Sequence, residues 1–200
     1  MANITHFSQL DLDGTYTYAD YLTWKFEEMV ELVRGKILPM AAPNRKHQGI
    51  SRDLSGKFFI FFKQHRCKFY PAPFDVRLSD RQKSAKANKE VQSVVQPDLC
   101  VICDESKLDT AGCLGAPDLI VEILSPGNSS KEMRVKKQLY EENQVREYWI
   151  IDPEHETVHQ FSLTDSGVYA PPVIYIHEDT LISSIFPDLH LNLLEIFAAE

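Results

Sequence analysis

Two acidic residues stand inside apolar, strand-like runs of this chain, and they restrict how the chain can fold. Asp98 opens the run PDLCVICD at 97–104, and Glu122 lies within PDLIVEILSP at 117–126. A carboxylate is rare inside a buried strand, because it loses hydration there and needs a partner to offset the loss. Two such strands side by side would form a paired acidic site, and the usual partner of such a site is a divalent metal ion.

The connector between the two runs predicts their relative direction. It covers about a dozen residues (104–116) and carries two glycines, which best fits an antiparallel pair. The start of the first strand then lies opposite the end of the second, so Asp98 and Glu122 can converge. Asp118 lies four residues before Glu122, roughly 13 Å away at the rise of a strand. We therefore expect Asp118 at the far end of the sheet, as a strand-opening or turn carboxylate.

Length and charge restrict the class of protein. Two hundred residues of ordinary composition predict a single domain over 1–200, with 1–15 flexible or peripheral. The formal net charge of −8 argues against a strongly basic, non-specific nucleic-acid binder. It still allows an enzyme that acts on phosphodiesters through an acidic metal site and a local basic patch. The run 80–90 is either a solvated loop or such a DNA-contacting patch; its cations are Arg81, Lys83, Lys86 and Lys89.

Targeting signals and cysteines suggest a cytoplasmic protein. We see no signal-peptide pattern and no apolar run of membrane-spanning length, so we expect no membrane partner. Cytoplasmic cysteines stay reduced, so we expect no disulfide among Cys67, Cys100, Cys103 and Cys113, and we interpret Cys100 and Cys103 as buried free thiols. Cys100 and Cys103 form a CxxC, but residues three apart on a strand face opposite sides and no second pair completes a zinc set. A zinc or redox protein is the weaker alternative.

Hydrophobic spacing predicts an α/β (α+β) domain with a mixed sheet flanked by helices. A helix is expected over 17–29 with Thr17 as its cap, followed by a hairpin over 30–43 that turns at Arg34-Gly35. A long core helix should begin at Asn44 or His47. Its apolar stripe is formed by Ile50, Leu54, Phe58, Phe61 and Phe62.

The second half of the chain predicts further strands and one more core helix. Strands are expected over 67–78, 98–103, 118–124 and 146–153. Between the last two, Ser129 followed by Glu132 is a capping-box pattern that opens a helix running to about Asn143. A strand pair over 157–163 and 168–176, around Asp165-Ser166-Gly167, and a terminal strand and short helix complete the domain.

The order of these motifs resembles the PD-(D/E)xK nuclease superfamily, and within it the restriction-endonuclease-like Uma-two family. The matching segments cover roughly 16–155: YADYL, ELVRGKI, AP before His47, PAPFDVRL, PDLCVI, APDLIVEILSP, Lys136 and Tyr140, and EYWIIDP. No single motif is specific, but their order and spacing together are. The resemblance implies a restriction-endonuclease-like core.

The superfamily pattern needs an Asp, then an acid two residues before a Lys on the neighbouring strand. Asp98 and Glu122 match the two acids, but Leu124 stands where the lysine belongs. The resemblance implies that the lysine has moved to the following helix, at Lys136. Glu132, Lys136 and Tyr140 share one helical stripe, so Lys136 reaches the acids only if that stripe faces the strand ends. Lys131 and Lys137 are the neighbours that could take its role.

The resemblance implies a Mg²⁺- or Mn²⁺-dependent nuclease acting on DNA, with Asp98, Glu122 and Lys136 as its centre. Asp98, Glu122 and the backbone carbonyl of Ile123 would bind the metal, since Mg²⁺ prefers oxygen ligands and keeps several waters. Lys136 would orient or help deprotonate a water. A structural Glu122–Lys136 ion pair is the alternative for these two residues.

Other assignments stay open at this point. Glu31 is implied as an accessory acid, or it lies on a solvated hairpin edge. His47 either approaches the metal or caps the core helix, and Tyr140, Tyr148 and Trp149 are most simply core residues. Superfamily nucleases often work as dimers, which makes a homodimer possible here. A nuclease-like module that binds DNA or a partner protein without cutting is the alternative function.

Overall fold

The computed structural model describes residues 4–40, 42–78, 91–126 and 130–198. These residues form an α+β protein with few helices and mixed sheets, which confirms the predicted class. They divide into two compact units: unit 1 comprises Met1–Met40, Phe74–Gln96 and Ser106–Ala116, and unit 2 comprises Ala41–Pro73, Pro97–Glu105 and Pro117–Glu200. The prediction of a single domain over 1–200 stays a prediction.

The predicted helices and strands occur in the predicted order, together with short strands that the sequence did not predict. The helices are α1 (Tyr18–Tyr21), α2 (Arg45–Phe62), α3 (Ser130–Glu142) and α4 (Leu193–Phe197). The strands are β1 (Val30–Val33), β2 (Lys36–Pro39), β3 (Lys68–Pro71), β4 (Val76–Arg77), β5 (Val94–Val95), β6 (Leu99–Ile102), β7 (Leu108–Asp109), β8 (Gly112–Leu114), β9 (Leu119–Ile123), β10 (Glu147–Asp152), β11 (Thr157–Ser162), β12 (Val173–Ile176), β13 (Thr180–Ile182) and β14 (His190–Asn192). No helix within the described ranges is both long and apolar enough to cross a bilayer.

Unit 1 is built on a sheet with the strand order β2-β1-β5-β4-β8-β7. The hairpin of β1 and β2 turns at Arg34 and Gly35, as predicted, with φ angles of 51° and 77°. Two consecutive positive φ angles suit the twist of a two-residue hairpin loop, and glycine adopts them without steric cost. The core of this unit is formed by Tyr18, Leu32, Val91 and Val94.

The first helix is much shorter than predicted. Thr17 caps α1 and forms a reciprocal capping box with Asp20, which confirms the predicted start. The helix ends at Tyr21, however, so the prediction of a helix to residue 29 was wrong. Past its end, the Lys25 backbone N–H bonds to the Ile4 carbonyl and Trp24 forms a bridge with Ile4. These non-local backbone bonds replace those that would have extended the helix.

Unit 2 is built on a six-stranded sheet with the order β12-β11-β10-β9-β6-β3. Strands β9 and β10 are parallel, and the other neighbours are antiparallel, so this sheet is mixed as predicted. Asn44 caps α2 by accepting from the His47 N–H at 2.8 Å, so Asn44 rather than His47 is the cap. The predicted stripe of α2 is buried at Ile50, Leu54, Phe58 and Phe62 in the core of unit 2. Burial of this stripe fixes the first turn of α2 over the sheet, and that turn carries His47.

The cysteine prediction was wrong for two of the four residues. Cys67 and Cys103 form a disulfide with a Cα–Cα distance of 4.0 Å. They directly flank the last pair of the β3–β6 ladder, Lys68 and Ile102, so the register places them opposite each other. Cys100 and Cys113 lie outside any disulfide of the described residues, as expected, and both are buried. The CxxC residues do not bond to each other, which agrees with their opposite orientation on a strand.

Candidate active site

The register of β6 and β9 places Asp98 opposite Glu122. The antiparallel ladder pairs Val101 with Leu119 and Leu99 with Val121, which confirms the predicted direction. Continuing it by one position brings Asp98 beside Glu122, and directly opposed residues in such a ladder point to the same face of the sheet. Both side chains are mostly buried, with 17% of Asp98 and 12% of Glu122 exposed.

Asp98 is held by groups from three elements. Its Oδ2 atom accepts from the Ile123 backbone N–H at 2.7 Å, and its own carbonyl accepts from the Ala72 N–H at 3.0 Å. Its Oδ1 atom lies 3.3 Å from Nε2 of His47. The carboxylate is therefore fixed by the strand end on one side and by the start of α2 on the other.

Glu122 is held by two side chains from α3. Lys136 Nζ lies 3.1 Å from Oε1 of Glu122, and the Tyr140 hydroxyl donates to the same oxygen at 2.6 Å. The side chain of Lys136 is only 10% exposed, and Tyr140 is fully buried. One helical turn separates the two donors, so both reach the carboxylate from the same face of α3. Charge-assisted bonds of this kind are short and strong.

The neighbouring lysines of α3 do not share this contact. The ammonium of Lys137 lies over the aromatic rings of Phe161 and Tyr169, at 5.1 and 5.8 Å from their centroids. Lys131 is exposed in the first turn of the helix. Among these three lysines, Lys136 is thus the one that contacts Glu122. The stripe of α3 that carries Lys136 therefore faces the end of β9.

The imidazole of His47 lies where two of the predicted oxygen ligands meet. Its burial lowers the pKa of the ring, but the hydrogen bond and charge of Asp98 raise it. A hydrogen bond to the Ile123 backbone and the charge of Glu122 act in the same direction, and the net pKa lies above the ordinary value of 6.5. The ring therefore lies between the carboxylate of Asp98 and the backbone of Ile123, which both raise its pKa. Its Nδ1 atom is buried without a partner among the described residues.

This donor set fits a hard divalent cation. Carboxylates and a backbone carbonyl are the ligands that Mg²⁺ and Mn²⁺ prefer, and Mg²⁺ commonly uses only one or two carboxylates and keeps several waters. No group of three or more His, Cys, Asp or Glu side chains within the described ranges could hold a metal. The acidic pair and the Ile123 carbonyl are the oxygens around which such a site can be built.

Asp118 lies at the opposite end of the strand pair, as predicted. Its Oδ2 atom accepts from the Cys103 backbone N–H at 2.8 Å, and its Oδ1 atom pairs with Arg146 at 3.1 Å. Because the ladder pairs Leu119 with Val101, this carboxylate marks the start of β9 and Glu122 its end. Asp118 therefore binds Cys103 and Arg146 at the start of β9, at the opposite end of this strand from Glu122.

The other predicted site residues lie elsewhere. Glu31 is buried in unit 1, 1% exposed, and accepts from the Gln96 backbone N–H at 2.9 Å. The solvated hairpin edge was therefore wrong for Glu31, and its accessory role stays a prediction. The candidate DNA-contacting cations fall outside the described residues; they are Arg81, Lys83, Lys86 and Lys89. Ser129, the predicted cap of α3, also falls outside them.

Two contacts of the site were missed in the sequence. Tyr140 is fully buried, as a core residue should be, but its hydroxyl also donates to Glu122. The four-residue spacing from Lys136 was the signal that could have identified it. The pairing of His47 with Asp98 joins residues 51 positions apart. No local pattern could have decided between that contact and a helix cap.

Comparisons with known proteins agree with this architecture. The sequence profile of the Uma2 (Uma-two) family, described as "Putative restriction endonuclease", matches residues 18–194. An uncharacterized protein of Synechocystis sp., slr1290, is 23% identical over 151 residues, which cover 74% of each protein. The chain also resembles the crystal structure of a putative nuclease belonging to DUF820 from Anabaena variabilis ATCC 29413. The TM-score is 0.70 at 19% identity, over 91% of this chain and 97% of that one, and this likeness shows the fold.

Proposed function

The chain belongs to the Uma2 family, and on that basis we propose that it is a metal-dependent nuclease that hydrolyses phosphodiester bonds in DNA. The observation that carries the proposal is the contact of Lys136 with Glu122, in a strand pair that also brings Asp98 to the same face. Two acids and one lysine at the end of a strand pair are the groups that the PD-(D/E)xK superfamily uses. The lysine comes from α3. The superfamily pattern expects it two residues after Glu122, but Leu124 occupies that position, directly after β9.

Asp98, Glu122 and the carbonyl of Ile123 would hold Mg²⁺ or Mn²⁺. When bound, the ion lowers the pKa of a coordinated water and neutralises charge on the phosphate. Its charge would also offset the repulsion between the two carboxylates. The Ile123 N–H fixes Asp98 and the Tyr140 hydroxyl fixes Glu122, so both acids are preorganised.

Lys136 supplies positive charge beside the attacking water and the scissile phosphate. An ammonium at this place orients the water and stabilises the negative charge that develops on the phosphoryl oxygens. Its contact with Glu122 at 3.1 Å keeps the side chain at the carboxylate pair. His47 positions Asp98 through its Nε2 atom.

The test is a cleavage assay on supercoiled plasmid and on single-stranded DNA with Mn²⁺. Glu122→Gln and Lys136→Met are compared with the parent, and Lys137→Met is the matched control because its ammonium lies over Phe161 instead. We expect cleavage to fall to background in the first two variants and to persist in the control. Cleavage that survives in folded Lys136→Met would overturn the role of this lysine.

A structural ion pair between Glu122 and Lys136 makes a different prediction. Breaking a buried pair leaves one charge without its partner and destabilises a protein by about 3–5 kcal/mol. The double variant Glu122→Gln/Lys136→Met removes both charges. If the pair were only structural, the double variant would recover both stability and any cleavage of the parent. Under the nuclease proposal each single variant keeps near-parental stability, because Lys136 can turn away from Glu122, and the double variant restores no cleavage.

A nuclease-like module that binds DNA without cutting is the second candidate. It is favoured by Leu124, which replaces the strand lysine of the superfamily pattern. An electrophoretic mobility shift that persists in Asp98→Ala, without cleavage by the parent, would support it. Absence of both cleavage and DNA binding would exclude both candidates.

A further inference from the structure

The positive charge of this chain is concentrated on α2 and the residues that follow it. Residues 45–68 hold seven of the 21 lysines and arginines but only one of the 29 aspartates and glutamates, which is Asp53. This segment therefore carries a formal charge of +6, whereas the remaining residues carry −14 and bring the chain to −8. A basic segment on an otherwise acidic protein attracts an anionic partner to that place.

The side of α2 that faces away from the core forms a continuous exposed ridge. Its members follow one another at steps of three or four residues, so they lie along one line of the helix. The α2 ridge consists of six exposed residues, none of them acidic: Arg45, Gln48, Arg52, Gly56, Phe59 and Lys63. Its first and last cations are separated by roughly 27 Å at the rise of a helix.

An aromatic ring lies within this row of cations. Phe59 is 56% exposed, and no other Phe, Tyr or Trp among the described residues is exposed to this extent. Lys63 holds its ammonium 5.9 Å from the centroid of the ring. Gly56, one turn before, brings no side chain to the ring, and a Cβ built on it would meet no atom within 4 Å. The ring is therefore accessible from the side of Gly56.

The acids near α2 leave the cations of the ridge available. Arg52 pairs with Asp53 at 2.6 Å, but 67% of the Arg52 side chain is exposed. Exposed pairs of this kind are weak, because solvent screens them, and a guanidinium readily exchanges such a partner for a phosphate. Lys46 and Lys57 each pair with a glutamate, and both lie beside the ridge rather than on it.

We propose that the α2 ridge binds a single strand of DNA. Its cations contact the phosphates, and Phe59 stacks against one base. Proteins that bind single strands combine a positively charged surface for the backbone with aromatic side chains on which bases stack. In a duplex the faces of the bases are covered by their neighbours, so Phe59 would find no base to stack on. The inference rests on the proposed nuclease function, because it names the form of DNA that the site receives.

The ridge begins beside the candidate active site. Arg45 lies two residues before His47, whose Nε2 atom is 3.3 Å from Asp98. Phe59 follows His47 by roughly 18 Å along the helix axis. Both α2 and Asp98 belong to unit 2. A strand that is held at Phe59 and at the cations can therefore follow α2 to the carboxylate pair.

Other anionic or apolar partners fit the ridge less well. A helix that lies on a membrane inserts a broad apolar face into the lipid, but the apolar stripe of α2 is buried in the core of unit 2. A second copy of the chain in a two-fold pair would place one basic ridge against another, and like charges repel. A single strand uses both the cations and the aromatic ring.

The first test is a binding titration of the full chain in EDTA with a fluorescein-labelled oligothymidylate of about 20 nucleotides, followed by fluorescence anisotropy. Phe59→Ala should weaken binding about tenfold, because one base loses its stacking partner. Binding of a duplex of the same length should not change in this variant. An equal loss on the duplex, or no binding of the oligothymidylate by the parent, would overturn the proposal.

Ile60→Ala is the matched control for the aromatic ring. Ile60 is adjacent to Phe59 and 78% exposed, but it has no π-face, so its removal should leave binding of the oligothymidylate unchanged. Circular dichroism establishes that both variants are folded. A loss in Ile60→Ala as large as that in Phe59→Ala would indicate an apolar docking surface for a protein or a lipid, and it would contradict the assignment.

Arg52→Gln and Lys63→Gln test the contacts with phosphates. Each should weaken binding of the oligothymidylate about fivefold and reduce the slope of log K against log salt by about 0.7, because one phosphate contact is lost. Lys25→Gln removes an exposed lysine of unit 1 and should leave both quantities unchanged. Parental affinity and slope in both ridge variants would show that the cations do not bind the strand.

Cleavage assays with Mn²⁺ separate this inference from the nuclease proposal. We expect Phe59→Ala to raise the KM for single-stranded DNA about tenfold and to leave kcat unchanged. If the parent cuts DNA and Phe59→Ala cuts single strands with the parental KM, the ridge assignment fails and the nuclease remains. If the parent binds single strands through Phe59 but cuts nothing, the nuclease proposal fails and the ridge belongs to the DNA-binding module.

Discussion

Two glutamates on neighbouring parallel strands of unit 2 have contrasting surroundings. Glu147 opens β10 and Glu122 lies near the end of β9, where the ladder pairs it with Ile150. Glu147 is fully buried and accepts five hydrogen bonds from neutral groups. Its donors, at 2.6–3.1 Å, are Trp149, Gln160, Ser183, Ser184 and Ile185. Glu122 instead contacts an ammonium and a phenol, and part of its side chain is exposed.

The donors to these two glutamates indicate a structural role for Glu147 and a functional role for Glu122 in the same sheet. Three of the donors to Glu147 point at Oε1 and two at Oε2, so its oxygens are saturated by groups that cannot move away without unfolding. The Lys136 and Tyr140 donors to Glu122 come from one helix face. Lys136 is charged and long, so it can turn to a substrate phosphate while Tyr140 stays in place. Identical substitutions at the two positions should therefore have opposite consequences.

The largest expected effect is on activity in Glu122→Gln. We expect DNA cleavage with Mn²⁺ to fall about 100-fold or more, because a metal-binding and water-orienting carboxylate is lost. The free energy of unfolding should change by less than about 1 kcal/mol, since glutamine still accepts from Tyr140. Plasmid nicking rates and urea denaturation measure the two quantities. If Glu122→Gln lost much stability but kept cleavage, Glu122 would be a structural acid like Glu147.

Glu147→Gln should show the reverse pattern. The amide places an NH₂ group against donors and leaves them unpaired, which lowers the free energy of unfolding by about 2–3 kcal/mol. Cleavage per folded molecule should be unchanged, because Glu147 contacts no residue of the candidate site. A urea titration monitored by circular dichroism, together with the nicking assay below the unfolding transition, checks both. Near-parental stability would show that the five bonds matter less than their number suggests.

Tyr140→Phe tests whether preorganisation of Glu122 matters. Removing the hydroxyl that donates at 2.6 Å should slow cleavage about tenfold and cost about 1 kcal/mol of stability. Tyr169→Phe is the matched control, because its buried hydroxyl donates to the Val145 carbonyl at 2.9 Å. The control should lose similar stability but no activity. Equal activity of the two variants would show that the Tyr140 bond is structural only.

The smallest effect concerns an acid–base pair in unit 1. Burial raises the pKa of Asp109, but the hydrogen bond from Arg77 and those from the Ala111 and Gly112 N–H groups lower it, and the net pKa lies below 3.8. A depressed pKa stabilises the fold above the unfolded value, and this contribution is lost as the pH falls through the folded pKa.

The stability gap between the parent and Asp109→Asn should therefore be largest near neutral pH and close below about pH 4. Thermal unfolding at pH 7 and at pH 3 measures it. Almost half of the Asp109 side chain is exposed, so solvent screens the pair and the gap is small. A gap that stays constant over this range would show that the ionised carboxylate contributes nothing.

Much of unit 2 could be predicted from local patterns. The stripe of α2, the antiparallel β6–β9 pair and the far position of Asp118 follow from hydrophobic spacing and connector length, and all three are confirmed. The helix predicted over 17–29 was wrong because its propensity was overridden by backbone bonds between Lys25 and Ile4. The cysteine prediction was wrong for Cys67 and Cys103 because it was based on the expected cytoplasmic location and not on the register of β3 and β6, which places the two residues opposite each other.

The sequence by itself determined the strands that carry Asp98 and Glu122, their direction, and the helical stripe that carries Lys136. These depend on the period of side chains along one element and on the reach of a short connector, which are local properties. Only the tertiary structure decided that this stripe turns to Glu122, that Tyr140 joins Lys136 there, and that His47 pairs with Asp98. Those contacts depend on how α2 and α3 pack on the sheet. Packing is set by the whole core at once, and no window of sequence contains it.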